Sequence, residues 1–563
     1  MISKIETIIK EALKQIQEYF VDEFIENEIH ASLPNSKINC HYCSNFLFTL
    51  RPHLKLGFEE PLKKALLNNS YVASIDFMSG YVNFKMKPKF FEEAISQILS
   101  NDMFPNVGNG MKTNVEYCSI NPTGFLHIGH ARNAILGDTI ARILKNVNFD
   151  VTKEYYINDG GNQINLLAQS VYARYQELHS RTAQFPENGY LGPEIIEIAK
   201  LFKEQFEQEK SNFEASTESE ILEEIATFCI TYFMNAIKTD LEDLRIHHDV
   251  FSSEKNIIQS GYIEKAIKLL ESKGYLYDGS RDGKKATKGD SSNENLLLLK
   301  TTEFGDDEDR PLTKSNGTWT YLAPDIGYHL NKIERKFEYL ICILGADHDS
   351  YARRIKIATK ALQENIIHKT PICQMVSFEL EGKNVKFSKR SGNSIRTHDF
   401  IQEVSPDIFR YMMLAKTPGT PFIFDYENAT AFSMKNPVFY IQYAHARGCS
   451  ILRNTEITPM LQHSRAFETD AFCEMIVLLS NFKTMLEETA NQLAPHILAN
   501  YAYKLAESFH KVWQLGKMNT ENKFIIDGNE KETAARLAIV QAFLTVLHSC
   551  LDMLGISAPT SMQ

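Results

Sequence analysis

The chain has 563 residues, 43% of them hydrophobic and 23% charged, and a formal net charge of −11. Such a length holds about three to five domains of ~100–200 residues each, and the composition is that of packed globular cores rather than of a disordered or collagen-like chain. No run reaches the ~18–20 uninterrupted apolar residues of a membrane-spanning helix, and the acidic total argues against a protein that coats itself in nucleic acid, while leaving room for local basic patches that hold phosphates.

Along the chain, Ile5, Ile8, Ile9, Ala12, Leu13 and Ile16 fall on one helical face. Glu6 and Glu11 interrupt that segment, so it reads as the first helix of a folded domain and not as a secretory or transit segment. Nine cysteines are scattered over the chain, which predicts free thiols in a reducing, cytoplasmic setting. Cys40 and Cys43 have the spacing of a zinc half-site. A structural zinc takes four ligands and no second pair lies nearby, so no structural zinc is expected. Tyr71–Ser74 and Tyr81–Met86 are strand-like and flank Ser79-Gly80, a hairpin within a small α/β module of residues 1–110.

After a linker at Asn106–Gly110 come a strand at Val115–Ile120, a Pro/Gly loop, a helix at Ile128–Lys145 and a returning parallel strand at Asp150–Tyr156. That order opens a βαβ unit. A helical insertion follows over about 161–245, and Gly279–Glu294 is a polar stretch expected as an exposed hairpin or mobile loop. Tyr339–Leu344, Gly345 and Tyr351–Leu362 repeat the strand, loop and helix. From 431 to the end the pattern is helical, a bundle. The expected fold is therefore multidomain α/β: an N-terminal α/β module (1–110), a Rossmann-like domain with helical insertions (111–430) and an all-α C-terminal bundle (431–563).

Two motifs carry chemistry. Asn121-Pro122-Thr123-Gly124-Phe125-Leu126-His127-Ile128-Gly129-His130 sets two histidines at the mouth of a helix that follows a strand. Unpaired N–H groups and a partial positive charge at a helix N-terminus suit a polyphosphate, and imidazoles there can donate to an α-phosphate. Gly129 leaves room for a base to approach. Far downstream, Lys386-Phe387-Ser388-Lys389-Arg390 would make a basic loop able to close over pyrophosphate. Each alone has an ordinary alternative: histidines that cap a helix, and a basic run on a solvated surface. Neither a G-x-G-x-x-G nor a Walker A motif is present.

Together and in this order the two resemble the HIGH and KMSKS signatures of class I aminoacyl-tRNA synthetases. HIGH is matched in full; the second motif carries Phe387 for Met and Arg390 for Ser. Within that class the chain resembles arginyl-tRNA synthetases nearly end to end, through Glu116–Gly124, Tyr155–Ile164, Asp249–Glu254, Gly345–His348, Asn436–Arg447 and the terminal Leu554–Pro559 with Met562. The resemblance implies ATP-dependent ligation of L-arginine to tRNA(Arg) through an arginyl-adenylate, with Mg²⁺, by a monomeric cytoplasmic enzyme that has no membrane partner. It also implies that adenylate formation needs bound tRNA.

A guanidinium is planar, has five donors and never deprotonates, so its pocket needs fixed carboxylates. Tyr321 and Asp325 lie four apart, on one face if the chain is helical from Ala323. The resemblance assigns Tyr321, Asp325 and Glu254 to the guanidinium, and Glu116, Ser119, Asn121 and His348 to the amino-acid backbone. It assigns His127, His130 and Lys389 to catalysis, with Gly124, Gly129, Lys386, Ser388 and Lys389 on ATP. Tyr440, Tyr443 and Arg447 form one helical stripe, which periodicity alone reads as core with a snorkelling arginine. The resemblance makes it an anticodon-binding stripe able to stack bases, with Met562 also on the tRNA. Tyr81 and Asn83, on one strand face by alternation, resemble contacts to the tRNA D-loop. Competing readings are a non-catalytic tRNA-binding paralogue, which should have lost HIGH or the second lysine; another H-x-G-H nucleotidyl transferase, which has no use for the helical domain; and a cysteinyl-type synthetase, whose zinc ligands are not apparent.

Overall fold

Five parallel strands make the central sheet: β1 (Lys112–Glu116), β2 (Asp150–Ile157), β3 (Val250–Ser253), β4 (Tyr339–Cys342) and β5 (Ile367–Lys369), in the order β5-β4-β1-β2-β3. Parallel strands require crossovers, and helices supply them. α1 (Ile128–Asn146) joins β1 to β2, while α2 (Gly161–Leu178), α3 (Pro193–Glu209) and α4 (Glu218–Asp243) lie between β2 and β3. α5 (Leu322–Glu334) precedes β4 and α6 (Asp349–Leu362) follows it. Thr113, Asn114 and Val115 on the central strand β1 are 0% exposed, as expected where both faces are covered. The strand order reverses at β1, so the carboxyl ends of β1 and β4 border the crevice in which open α/β sheets bind ligands.

The computed structural model describes residues 1–21, 29–34, 39–209, 217–280, 296–380, 383–385, 396–431 and 433–562. They divide into two units, one of 107–431 with 493–496, the other of 1–106, 432–492 and 497–563. In the unit that holds the parallel sheet, β1 stops at Glu116, short of the expected Ile120. Cys118 takes a φ of 60°, which leaves the strand region, and its N–H turns to Asn133 Oδ1 at 2.8 Å. Asn133 donates in turn to the Ile343 carbonyl at 2.9 Å, tying the chain beyond β1 to the chain beyond β4. β4 ends at Cys342, and Leu344-Gly345 pair separately with Ile372-Cys373.

The insertion α2–α4 has its own apolar cluster, with Leu167, Val171, Ile198, Phe202, Ile225 and Phe233 buried. The polar stretch begins at the end of Leu276–Gly279, which pairs antiparallel with Leu296–Leu299; residues 281–294 of it lie outside the described residues. Helix α1 is anchored from within. Its Asp138, fully buried, accepts from the equally buried Arg410 at 2.8 Å and from Arg142 at 2.7 Å. Gly137 is required where α1 meets Tyr117, because a Cβ there would lie 2.1 Å from the ring.

In the other unit an antiparallel sheet runs Ala31–Ser32, Tyr42–Ser44, Tyr81–Met86, Val72–Met78. The second hairpin strand has the expected bounds, and the first extends past Ser74 to Met78. Tyr42 and Ser480 share a buried hydroxyl–hydroxyl hydrogen bond of 2.6 Å, linking that sheet to the helix Asp470–Ser480; the same unit holds the helices Pro437–Arg453, Phe482–Gln492 and Glu530–Leu554. Glu530–Leu554 is long and apolar enough to cross a membrane, but 67% of its apolar window is buried inside the protein. Arg536 within it is 2% exposed and paired with Glu532 at 2.6 Å.

Burial alone would raise the Asp138 pKa, yet Arg410, Arg142 and Lys153 hold it below the usual range. Asp138→Asn leaves Arg410 buried without its counter-charge, so urea denaturation should show a loss of about 3–5 kcal/mol near neutral pH. A depressed carboxylate stabilises above its unfolded pKa, so the advantage of the parent chain should shrink as pH falls through the folded value.

Candidate active site

The loop leaving β1 crosses to α1 through buried Pro122, Thr123 and Gly124. His127 is the N-cap residue of α1, in extended conformation, and its ring stacks on that of His130 with centroids 3.5 Å apart. Both imidazoles thus stand at the N-terminus of a 19-residue helix, where the first N–H groups point out of the helix and the dipole is positive. A Cβ on Gly129 would come within 3.1 Å of His127 Cε1, so glycine there also leaves the histidine ring its place. Lys386, Ser388 and Lys389 lie outside the described residues. Where the described chain resumes, Arg396 pairs with His127 as an isolated bridge, and its guanidinium lies 3.3 Å from the centroid of Phe125. Thr397 N–H donates to the Leu126 carbonyl at 2.9 Å. Arg396 and Thr397 are therefore fastened to the histidine loop.

A second group of side chains lies at the ends of β1, β2 and β3. Glu116 accepts from Ser119 Oγ at 3.1 Å and from Lys332 Nζ at 2.5 Å. Lys332 is 1% exposed. Burial pulls its pKa down, but Glu116 and Glu154 outweigh that and leave it raised, so the ammonium stays charged. Glu154 on β2, 0% exposed, accepts from Asn114 at 2.5 Å, Ser252 at 2.6 Å, Tyr328 at 2.9 Å and Arg335 at 2.8 and 2.9 Å. Asp325, Tyr328, Lys332 and Arg335 follow one another at helical spacing along one side of α5 and its C-cap.

Asp325 sits in the first turn of α5 and accepts from the Tyr351 hydroxyl. Burial, then Glu116 and Glu254, push its pKa up to about 8. Glu254 opens a short helix after β3; burial and then Asp159 raise its pKa, against a hydrogen bond from the Gly160 backbone. Glu116, Asp325 and Glu254 thus converge on one space, with Lys332 as a buried cation beside Glu116. Such a space favours a ligand that brings a permanent positive charge.

The remaining expected residues are distributed as follows. Asn121 donates to Gln163 at 2.7 Å. Tyr321 is the N-cap residue of α5, 82% exposed, with the Lys314 ammonium 5.7 Å from its ring. His348 is exposed on the turn after β4. In the other unit, Tyr81 is exposed and packs edge-on to Phe48, while Asn83 is buried beside Cys40, so the two differ in depth despite their alternation. Arg447 donates to the Tyr443 hydroxyl at 2.7 Å and lies over the Tyr443 and Trp513 rings. Tyr440 stacks on Tyr503 at 5.2 Å, and half-buried Met562 lies beyond Thr560, whose carbonyl Arg453 holds at 2.9 Å. Sequence reasoning does not single out Lys332, Glu154, Tyr328, Arg335 or Tyr351. Helical spacing after Asp325 is the available signal for Tyr328, Lys332 and Arg335; Glu154 and Tyr351 have none of that kind.

A family model described as tRNA synthetases class I (R), catalytic domain, matches residues 94–416, and one described as DALR anticodon binding domain matches 441–562. The fold and the histidine loop are thus those of a class I aminoacyl-tRNA synthetase. The arginine–tRNA ligase of Rickettsia bellii is 37% identical over 554 residues, covering 95% of this chain and 96% of that protein. That of Rickettsia rickettsii is 35% identical over 566 residues, covering 97% of each. The Thermus thermophilus arginyl-tRNA synthetase structure superposes with a TM-score of 0.73 at 20% identity, covering 100% of both chains, a likeness of fold. The chain belongs to the arginyl-tRNA synthetases, and its reaction is the ATP-dependent ligation of L-arginine to tRNA(Arg) through arginyl-adenylate, releasing AMP and pyrophosphate.

Gly129→Ala should displace the His127 ring by a few tenths of an ångström without unfolding the helix. The turnover number of aminoacylation is expected to fall about ten- to a hundredfold, with the thermal midpoint little changed.

Proposed function

We propose that the residues of this site divide the reaction as follows. Asp325 and Glu254, with Tyr321, take the guanidinium, and Glu116, Ser119, Asn121 and His348 orient the ammonium and carboxylate of arginine. The observation that carries this reading is the convergence of Glu116, Asp325 and Glu254 on one space, expressed in the raised pKa of Asp325. A pocket of fixed carboxylates leaves groups unpaired when lysine enters, so rejection needs no editing site.

ATP lies along the histidine loop, with Gly124 and Gly129 under the nucleotide and Lys386, Ser388 and Lys389 over the pyrophosphate. The arginine carboxylate attacks the α-phosphorus, pyrophosphate leaves, and the 3′-terminal ribose of tRNA then attacks the acyl carbon. His127, His130 and Lys389 stabilise the charge that develops on the transferring phosphoryl group. The groups at the mouth of α1 are imidazoles and N–H donors, which fit phosphate oxygens, and no cluster of three or more metal-ligating side chains occurs among the described residues. With ATP held at this helix N-terminus, Mg²⁺ would be bound through the nucleotide phosphates and would supply further charge neutralisation. No side chain is assigned as a general base.

Residues 1–110 with Tyr81 and Asn83 serve the tRNA D-loop, 111–430 the chemistry, and 431–563 the anticodon through Tyr440, Tyr443, Arg447 and Met562. The stacked rings and guanidinium of that stripe suit splayed bases. The protein works as a monomer, and in the cytoplasm, where its nine free cysteines are at home.

ATP–pyrophosphate exchange should appear with arginine, and not with lysine or cysteine, and only when tRNA is added. Exchange driven by another amino acid would overturn the pocket assignment. Lys389→Ala should lower the turnover number about a hundred- to a thousandfold while arginine binding is kept.

A further inference from the structure

Tyr156, on β2, is held at every point but one. Its backbone N–H donates to Ser119 Oγ at 3.0 Å, and its ring lies against Tyr328 with centroids 4.4 Å apart. Tyr328 is fixed in its turn through Glu154. The Tyr156 hydroxyl oxygen, by contrast, is enclosed and has no hydrogen-bond partner among the described residues. Folded proteins rarely leave a buried hydroxyl unsatisfied without a reason. Burial first, then Asp325, Glu254, Glu116 and Asp159, push its pKa well up, so it stays protonated. Those carboxylates include the ones that converge on the arginine pocket.

A guanidinium presents five N–H donors. A forked contact with each of two carboxylates uses four of them, and Tyr351 already occupies part of Asp325. At least one donor is left for a neutral acceptor. We propose that Tyr156 is a specificity residue of the arginine pocket, its hydroxyl oxygen accepting a hydrogen bond from the substrate guanidinium. This rests on the assignment of Asp325 and Glu254 to the guanidinium. Lysine has no planar fork with which to satisfy the same oxygen, so the hydroxyl also adds to the discrimination between the two.

Tyr156→Phe keeps the ring and removes only the oxygen. In aminoacylation by the full chain, the arginine KM is expected to rise about tenfold or more, with the ATP KM unchanged and the thermal midpoint equal to or above that of the parent. An unchanged arginine KM with a raised midpoint would overturn the inference, since the hydroxyl would then be only a tolerated orphan. Equal rises in the arginine and ATP KM values would overturn it as well, by showing a general loosening of the site. Asp325→Asn, measured alongside, separates the two levels. A raised arginine KM for Asp325→Asn but not for Tyr156→Phe sinks the hydroxyl alone, and an unchanged KM for Asp325→Asn sinks the guanidinium assignment with it.

Discussion

Carboxylates that face one another in a space shielded from water repel, and their mutual field favours taking up a proton over staying charged. Glu116, Asp325 and Glu254 are held in that position by elements far apart in the chain: the end of β1, the first turn of α5 and the start of the helix after β3. The sheet topology is what permits it, because β1 and β4 part at their carboxyl ends and α5 can lie against the opening. A guanidinium, which keeps its charge at every accessible pH, is the partner that suits such a space.

The fold offsets the strain of that arrangement with a buried ionic framework. Lys332 neutralises Glu116, and Arg335 with three neutral donors neutralises and satisfies Glu154. Asp138 and Arg410 do the same for the helix that bears the histidines. Pairs of this kind add little net stability compared with an apolar core, whereas breaking one side is strongly destabilising. Their effect is geometric: they fix α1 and α5 against the sheet, and with them the histidines of the loop and the three carboxylates. The separate apolar cluster of α2–α4 lets the insertion carry its own core.

How much of this is legible in the sequence follows the range of the interactions. The histidine loop, the start of α1, the hairpin strand Tyr81–Met86 and the helical register of Asp325 rest on local spacing, and the structure has them close to where the residues suggest. β1 ends earlier than its apolar run suggests because Cys118 adopts a left-handed φ that nothing in its residue type announces. Lys332 reaches Glu116 across 216 residues of sequence, and Arg410 reaches Asp138 across 272, so neither pairing has a local signature. Tyr321 shares a helical register with Asp325, yet caps the helix with its ring largely in solvent, because the register fixes direction around the axis and not depth.

With Asp325 as a partner of the guanidinium, arginine binds well only where that carboxyl is ionised, whereas in the empty pocket its pKa is pushed up to about 8. Binding should therefore expel a proton. The most direct test is calorimetry of arginine binding near neutral pH in two buffers of different ionisation enthalpy, in the presence of tRNA. The expected result is release of most of one proton, fading as pH rises past about 8, with affinity weakening toward about tenfold for each pH unit below that value. Binding with no proton release near neutral pH would mean that the carboxylates are not held as described, and would contradict the account at its centre.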